Sequence, residues 1–244
     1  MEYTILICDD DLDILAALET YLGQDGHRVI KSENGQEAFD AVLAAQAADA
    51  DPIHLIVLDV MMPVMDGIQA AVRIREISNL PIIFLSAKVE DTDRILGLNM
   101  GGDDYIAKPF NPLELQARVK AALRRYARLG GLQPDTDQPD DSPDNFKTGD
   151  LILDDTLKRV TLDGAEITLT ALEYSILRLL MSNMDRVFSS TQIYEAVWDE
   201  PALQVPKTVS VHIRHIREKI EINPKDPQYL KVIYGLGYKV VKLT

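Results

Sequence analysis

The chain has a single cysteine, Cys8, among its 244 residues. One thiol excludes an intrachain disulfide framework, and its place in an apolar run reads as a buried structural group with no chemistry of its own. Long hydrophobic runs are missing as well. No stretch approaches the roughly 18 apolar residues that cross a bilayer, and Met1-Glu2-Tyr3-Thr4 lacks the basic flank and apolar core of a signal peptide. These two absences predict a cytoplasmic protein with no membrane partner. No internal repeat is apparent. Because domains cluster near about 100–150 residues, the length predicts two of them. The 46% hydrophobic and 26% charged fractions allow each to bury a core.

Positive charge is also scarce overall, with a formal net of −14, which at first argues against a nucleic-acid partner. The charge is unevenly placed. Residues 1–128 hold 12 Lys/Arg against 21 Asp/Glu, residues 129–147 hold 1 against 5, and residues 148–244 hold 12 against 13. Within the near-neutral last segment, Lys207, Arg214, Arg217 and Lys219 face the single acid Glu218. Such a basic stripe in an acidic protein reads as a local DNA footprint.

The first half alternates short apolar runs with amphipathic segments. Tyr3 to Cys8, Arg28 to Lys31, His54 to Leu58, Pro81 to Leu85 and Tyr105 to Ala107 read as strands. Continuously apolar runs such as Ile5-Leu6-Ile7 and Ile82-Ile83-Phe84-Leu85 suit central parallel strands covered on both faces. Five βα repeats predict a doubly wound α/β sheet over residues 1–128. Residues 129–147, rich in Gly, Pro and Asp, read as a flexible acidic linker. An α+β domain is expected over 148–244. Its strands are placed at Leu151 to Leu153, Arg159 to Leu162 and Ile167 to Leu169, and its helices at Ala171 to Met181, Ser190 to Val197 and Lys207 to Ile220. A closing hairpin, Leu230 to Ile233 and Tyr238 to Leu243, completes a winged helix-turn-helix pattern.

In a doubly wound sheet the functional crevice lies beyond the carboxyl ends of the strands. There the first strand runs into Asp9-Asp10-Asp11, the third into Asp59, the fourth into Ser86 and the fifth into Lys108-Pro109. Gathered carboxylates repel one another unless a cation offsets them, and hard oxygen ligands suit Mg²⁺. A carboxylate beside such an ion is a plausible nucleophile toward phosphorus, with Ser86 and Lys108 placed to meet phosphoryl oxygens.

Asp9-Asp10, Asp59, Ser86, Tyr105 and Lys108-Pro109 together resemble the signature of receiver domains. The run Gly101-Gly102-Asp103-Asp104-Tyr105-Ile106-Ala107-Lys108-Pro109-Phe110 resembles the OmpR/PhoB branch of response regulators. The resemblance implies a flavodoxin-like receiver in which Asp59 accepts a phosphoryl group from a sensor histidine kinase. It further implies Mg²⁺ held by Asp10, Asp59 and the Met61 carbonyl with help from Asp9, and an acyl phosphate bound by Lys108 and Ser86. Tyr105 would swing inward as Ser86 shifts, and Lys108-Pro109 would be cis. This sequence departs from the branch at Asp11, where Glu is common, and at Gly102, where Ala is usual.

The same resemblance implies a phosphorylation-dependent homodimer. Its apolar patch would be Ile95, Leu98 and Ala117, with pairs Arg94–Glu114, Asp104–Arg118 and Asp103–Arg125 around it. An ordinary solvated face is the alternative, since exposed pairs contribute only about 0–1 kcal/mol each.

On the last helix, Val209, Ile213, Ile216 and Ile220 share one face at about 100° per residue and form a core stripe. The remaining surface then presents Lys207, Thr208, Ser210, Val211, His212, Arg214, His215 and Arg217 to a major groove. Taken alone, a basic helix is equally a solvated face. Leu169-Thr170-Ala171-Leu172-Glu173-Tyr174, Val209 through Arg217 and Gly235-Leu236-Gly237-Tyr238 resemble the OmpR/PhoB winged-helix domain. That implies binding to double-stranded promoter DNA, in direct repeats, and a loop over 198–206 able to touch RNA polymerase. Where the family often has a minor-groove arginine before the wing glycines, this chain has Tyr234, and a frequent second arginine of the recognition helix is here His215.

Two rivals stay open on sequence alone. A haloacid dehalogenase-type phosphatase also uses Asp, Mg²⁺, Ser/Thr and Lys, but carries its nucleophile in an Asp-x-Asp pattern after the first strand. An atypical regulator would bind DNA without phosphorylation, though such proteins usually lack part of the acidic site.

Overall fold

The computed structural model describes residues 2–47, 50–86, 100–131, 145–199 and 208–243. It forms two compact units, Met1–Tyr126 and Ala127–Thr244.

In the first unit, β1 (Thr4–Cys8), α1 (Leu12–Gln24), β2 (Arg28–Ser32), α2 (Gly35–Ala44), β3 (Leu55–Asp59), α3 (Gly67–Ile77), β4 (Ile82–Ser86), β5 (Asp104–Ala107) and α4 (Pro112–Tyr126) follow in order. The strands are parallel in the order β2-β1-β3-β4-β5. The three central strands are buried at every position, so each contributes to both faces with period two. Leu6, Cys8, Ile56, Leu58, Ile82 and Phe84 pack with Ala38, Val42, Ala70, Ala71 and Ile74 of α2 and α3. Ile5, Ile7, Leu55, Val57, Ile83 and Leu85 pack on the other face with Leu15, Leu18 and Leu22 of α1 and Leu115, Val119 and Leu123 of α4. Side-chain caps start the helices at the crevice end: Asp11 accepts from the N–H groups of Asp13 and Ile14, and Asp66 from that of Gln69. Strand order reverses between β1 and β3, which sets Asp9 and Asp59 side by side at the switch point.

The second unit opens with a short π-helical turn, Ala127–Gly131. Four antiparallel strands follow, β6 (Asn145–Thr148), β7 (Leu151–Asp154), β8 (Arg159–Leu162) and β9 (Ala165–Ile167), then α5 (Ala171–Met181), α6 (Ser190–Trp198), α7 (Thr208–Ile220) and the hairpin β10 (Leu230–Ile233) and β11 (Gly237–Val240). Strand β6 corrects the linker boundary drawn at 147. Phe146 and Thr148 point inward in an alternating pattern, and the Thr148 hydroxyl donates to Val241 O at 2.6 Å while accepting from Leu243 N at 2.9 Å. Strand β9 ends two residues earlier than expected because Thr170 is already the cap of α5, in a capping box with Glu173. Most of the linker, 132–144, lies outside the described residues. A separate core built on Leu151, Leu153, Ile176, Leu177, Leu180, Trp198, Ile213, Ile216 and Leu230 holds this unit together. Among the described residues no helix is long and apolar enough to cross a membrane.

Candidate functional site

The crevice at the ends of β1 and β3 gathers Asp9, Asp10 and Asp59, whose carboxylate oxygens lie within 4.8 Å of one another. Asp9 and Asp59 are buried, whereas Asp10 is exposed. Lys108 enters from the end of β5, where its N–H donates to Ser86 O at 2.7 Å, and its peptide bond to Pro109 is cis. Its ammonium reaches Asp9 Oδ2 at 2.6 Å and Asp59 Oδ1 at 2.8 Å. The second Asp59 oxygen accepts from Met61 N at 3.1 Å, so the backbone of Met61 is held against the site although its side chain is exposed.

Burial pushes the Asp59 carboxyl above its ordinary range, and the charge of Asp9 adds to that push; the Lys108 ammonium and the Met61 N–H pull it down without cancelling it. Burial lowers the Lys108 ammonium, but two carboxylates outweigh it and the group ends above its usual value. Among the described residues one cation therefore serves two buried carboxylates, with Asp10 at the rim. Three oxygen donors at this separation, one of them facing solvent, fit a hard hydrated cation such as Mg²⁺. The thiol of Cys8, pushed up to about 12 chiefly by burial, is not a competing ligand.

Ser86 ends β4 and Tyr105 lies in β5 beside it, both buried. Tyr105 packs with the core of the α2–α3 face of the sheet. Sequence reading missed Gly67. A Cβ there would stand 1.9 Å from Asp59 O, so only glycine lets α3 start directly beneath the acidic site. The adjacent Asp66 cap was the available signal.

The residues expected on a dimer face divide. Arg94, Ile95 and Leu98 lie outside the described residues. Ala117 is exposed, and Glu114 is half-exposed, paired with Arg118 of its own helix at 3.0 Å. Asp104 is buried and takes Arg118 at 2.9 Å within the chain. Asp103 and Arg125, expected as a pair across two copies, are described here within one chain only. Both are buried, and Asp103 accepts from Arg75 Nη2 at 2.6 Å and Ile82 N at 2.8 Å, tying the start of β5 to α3 and β4.

The winged-helix residues divide as well. Ser210 and Arg214 are exposed and His215 partly so, while Lys207 lies outside the described residues. Thr208, Val211 and His212 are corrections: each is buried, because α7 packs against both α5 and α6 and its core face is wider than the four-residue stripe. His212 sits 5.9 Å from Trp198, ring to ring. Arg217 donates from Nε to Leu230 O at 2.9 Å and so holds the base of the hairpin. Lys219 turns to the buried Glu173 at 2.6 Å, with His215 4.0 Å from the same carboxylate. Tyr234 stands at the hairpin tip, 91% exposed.

An acidic crevice on a doubly wound sheet, carried in one chain with a winged helix, defines a phosphoacceptor switch joined to a DNA-binding module. Comparison with known proteins agrees with that class. Residues 5–120 match the response regulator receiver domain, and residues 164–240 match the C-terminal domain of transcriptional regulatory proteins. The transcriptional regulatory protein YrkP of Bacillus subtilis is 39% identical over 241 residues, covering 98% of each chain. The regulatory protein VanR of Enterococcus faecium is 37% identical over 243 residues, covering 99% of this chain and 100% of that one. A solved RitR mutant superposes with a TM-score of 0.71 at 25% identity, covering 98% of this chain and 99% of that one. The chain belongs to the response regulators of the OmpR/PhoB type, transcriptional regulators of two-component systems rather than enzymes. A receiver domain implies a histidine-kinase partner and an acidic Mg²⁺ pocket, and the C-terminal domain implies DNA binding.

Proposed function

We propose that Asp59 is the phosphoacceptor and that its phosphorylation controls DNA binding by α7. The observation that carries this reading is the Lys108 ammonium bridging Asp9 and Asp59 across the switch point. An Asp59 oxygen attacks phosphorus, the N–P bond of a kinase phosphohistidine breaks, and an acyl phosphate forms. Lys108 then pairs with phosphoryl oxygen instead of two carboxylates, and the Ser86 hydroxyl at the end of β4 donates to another. Asp9, Asp10, Asp59 and the Met61 carbonyl would hold Mg²⁺, which supplies charge neutralisation at the incoming phosphoryl oxygens. Tyr105 reports the change at Ser86 to the outer face of the domain.

In this reading, phosphorylated receivers pair through a face that includes Ile95, Leu98 and Ala117, with Arg94 and Glu114 at its edge. Pairing delivers two winged helices to direct repeats in promoter DNA. Ser210, Arg214, His215 and Lys207 then face the major groove, and of the segment 198–206 read as a contact for RNA polymerase, Trp198 is buried at the end of α6 while 200–206 lie outside the described residues. The test is phosphoryl uptake from acetyl phosphate with Mg²⁺. Wild type should be labelled and dimerise, Asp59→Ala should take up nothing, and Lys108→Ala should lose the phosphate-dependent gain in DNA affinity. Equal DNA affinity for wild type and Asp59→Ala after phosphodonor treatment would refute the control.

A further inference from the structure

Glu221 directly follows α7, and its own N–H still donates to Arg217 O at 2.9 Å, so it continues the last helical turn. It is an acid only 8% exposed. Positions 210, 214, 217 and 221 recur at spacings of four, three and four, which puts Glu221 on the face of α7 that carries Ser210 and Arg214. A carboxylate on a side that meets phosphates repels them, so electrostatics gives no reason for an acid there. The hydrogen bonds supply one. The carboxylate accepts from three consecutive backbone N–H groups, Gln228 at 2.6 Å, Tyr229 at 3.0 Å and Leu230 at 2.8 Å.

These amides open the hairpin. Leu230 is the first residue of β10, wholly buried and paired with Val240 of β11, and Val241 N donates to Tyr229 O at 2.9 Å. Arg217 completes the hold, because its Nε donates to Leu230 O at 2.9 Å. Leu230 is thus gripped through its N–H by Glu221 and through its C=O by Arg217, from one face of one helix. The Arg217 Nη2 is itself buried and makes no hydrogen bond among the described residues. Two opposite charges one turn apart on α7 match the two ends of one residue's backbone, which fixes where the hairpin starts and how it is turned against the helix. Hydrogen bonds of backbone groups to charged side chains are the stronger kind.

We propose that Glu221 is a positioning residue for DNA recognition: with Arg217 it clasps Leu230 and holds the hairpin in one register against α7. This rests on the reading that α7 faces DNA. A winged helix engages a duplex with helix and hairpin together, so a hairpin fixed beforehand loses little conformational freedom on binding. The clasp strengthens affinity without touching nucleic acid. It also reverses the sign that charge alone predicts. Removing an acid from a face that meets phosphates raises affinity, whereas removing Glu221 lowers it, because three amides lose their acceptor and the hairpin loosens.

The experiment uses the full chain and a duplex enriched from a random-sequence pool by the wild-type protein, with affinity measured across a salt series. Stoichiometric titration gives the active fraction of each variant, so that only folded molecules are compared. Glu221→Gln should bind about tenfold more weakly with an unchanged salt slope, and the amides of Gln228, Tyr229 and Leu230 should exchange with solvent faster. Glu221→Asp keeps the charge but is too short to hold three amides, and it should weaken binding too. The control is Glu218→Gln, an exposed acid of the same helix that pairs with Arg214 at 2.7 Å, which should bind at least as tightly as wild type. Arg214→Ala should weaken binding and lower the salt slope. Glu221→Gln binding as tightly as wild type or more so, with Arg214→Ala weakened, overturns the clasp and leaves the helix reading standing. Faster exchange throughout the second unit rather than at 228–230 would also overturn it, as general destabilisation. Unchanged binding in Arg214→Ala overturns both.

Discussion

Lys108 meets Asp9 and Asp59 together, with the exposed Asp10 carboxylate beside them, a donor set that suits a divalent ion. Just beyond it, Val64 stands at φ +67 with Met65 N donating to Pro63 O at 2.8 Å, a tight turn that disfavours a β-branched residue. Val64 is 86% exposed, so packing does not repay the strain. Val64→Gly should therefore raise the stability of the receiver by about 0.5–1 kcal/mol, read from the urea midpoint; a lower midpoint would show that the turn is not strained. In the second unit, Glu173 is buried, and burial opposes its charge, but Lys219 and the Thr170 N–H hold its carboxyl below the ordinary range. A depressed folded value means stability that is present above the unfolded value, near 4.5, and is lost as pH falls through the folded one. Glu173→Gln should cost about 1–2 kcal/mol at neutral pH, since Lys219 keeps partial access to water, and should flatten the acid limb of the stability profile below that pH. An acid limb identical to wild type would remove Glu173 as its source.

At the scale of elements, the wing and α7 behave as one piece because Arg217 bonds the base of the hairpin. Two wing glycines look alike in sequence and differ in what surrounds them. Gly237→Ala would drive a Cβ into Phe188 O and should cost about 2–3 kcal/mol, whereas nothing lies within 4 Å of the Cβ position at Gly235 and its φ of +76 makes Gly235→Ala cost about 1 kcal/mol. Thermal unfolding of the two variants checks the order; equal losses would mean that the strand shifts to accommodate the clash. The helix α7 also shows why a stripe of four aliphatic residues understated its buried face. Periodicity identifies the centre of a core face, but its width depends on how many neighbours the helix has, and α7 has both α5 and α6. Val211 and His212, counted toward the groove from the sequence, were claimed by that second neighbour.

Over the whole molecule, the two units have separate cores, one layered on both faces of the parallel sheet and one enclosed by the winged helix. Fragments 1–126 and 127–244 should each unfold in a single cooperative transition. Mg²⁺ should stabilise only the first, by about 2.7 kcal/mol at a hundredfold excess over its dissociation constant. A Mg²⁺ effect that survived Asp10→Asn together with Asp59→Asn would place the ion elsewhere.

The order of apolar runs and the acids, serine and lysine that end them were legible from the sequence, because a parallel sheet forces continuous hydrophobic strands and sets their carboxyl ends at one edge. The family motifs were legible for the same reason, since each sits at a fixed place on that frame. Which charges stay available to a partner was decided only in three dimensions. Asp103 and Arg125 read as surface charges in a linear pattern, yet the approach of α3 and β4 buries Asp103 against Arg75 and leaves Arg125 inside. Strand β6 was hidden beside an acidic run because its partner β7 and the chain end that bonds Thr148 lie outside any local window. Local patterns report what a segment prefers, while burial depends on neighbours that the fold brings from far along the chain.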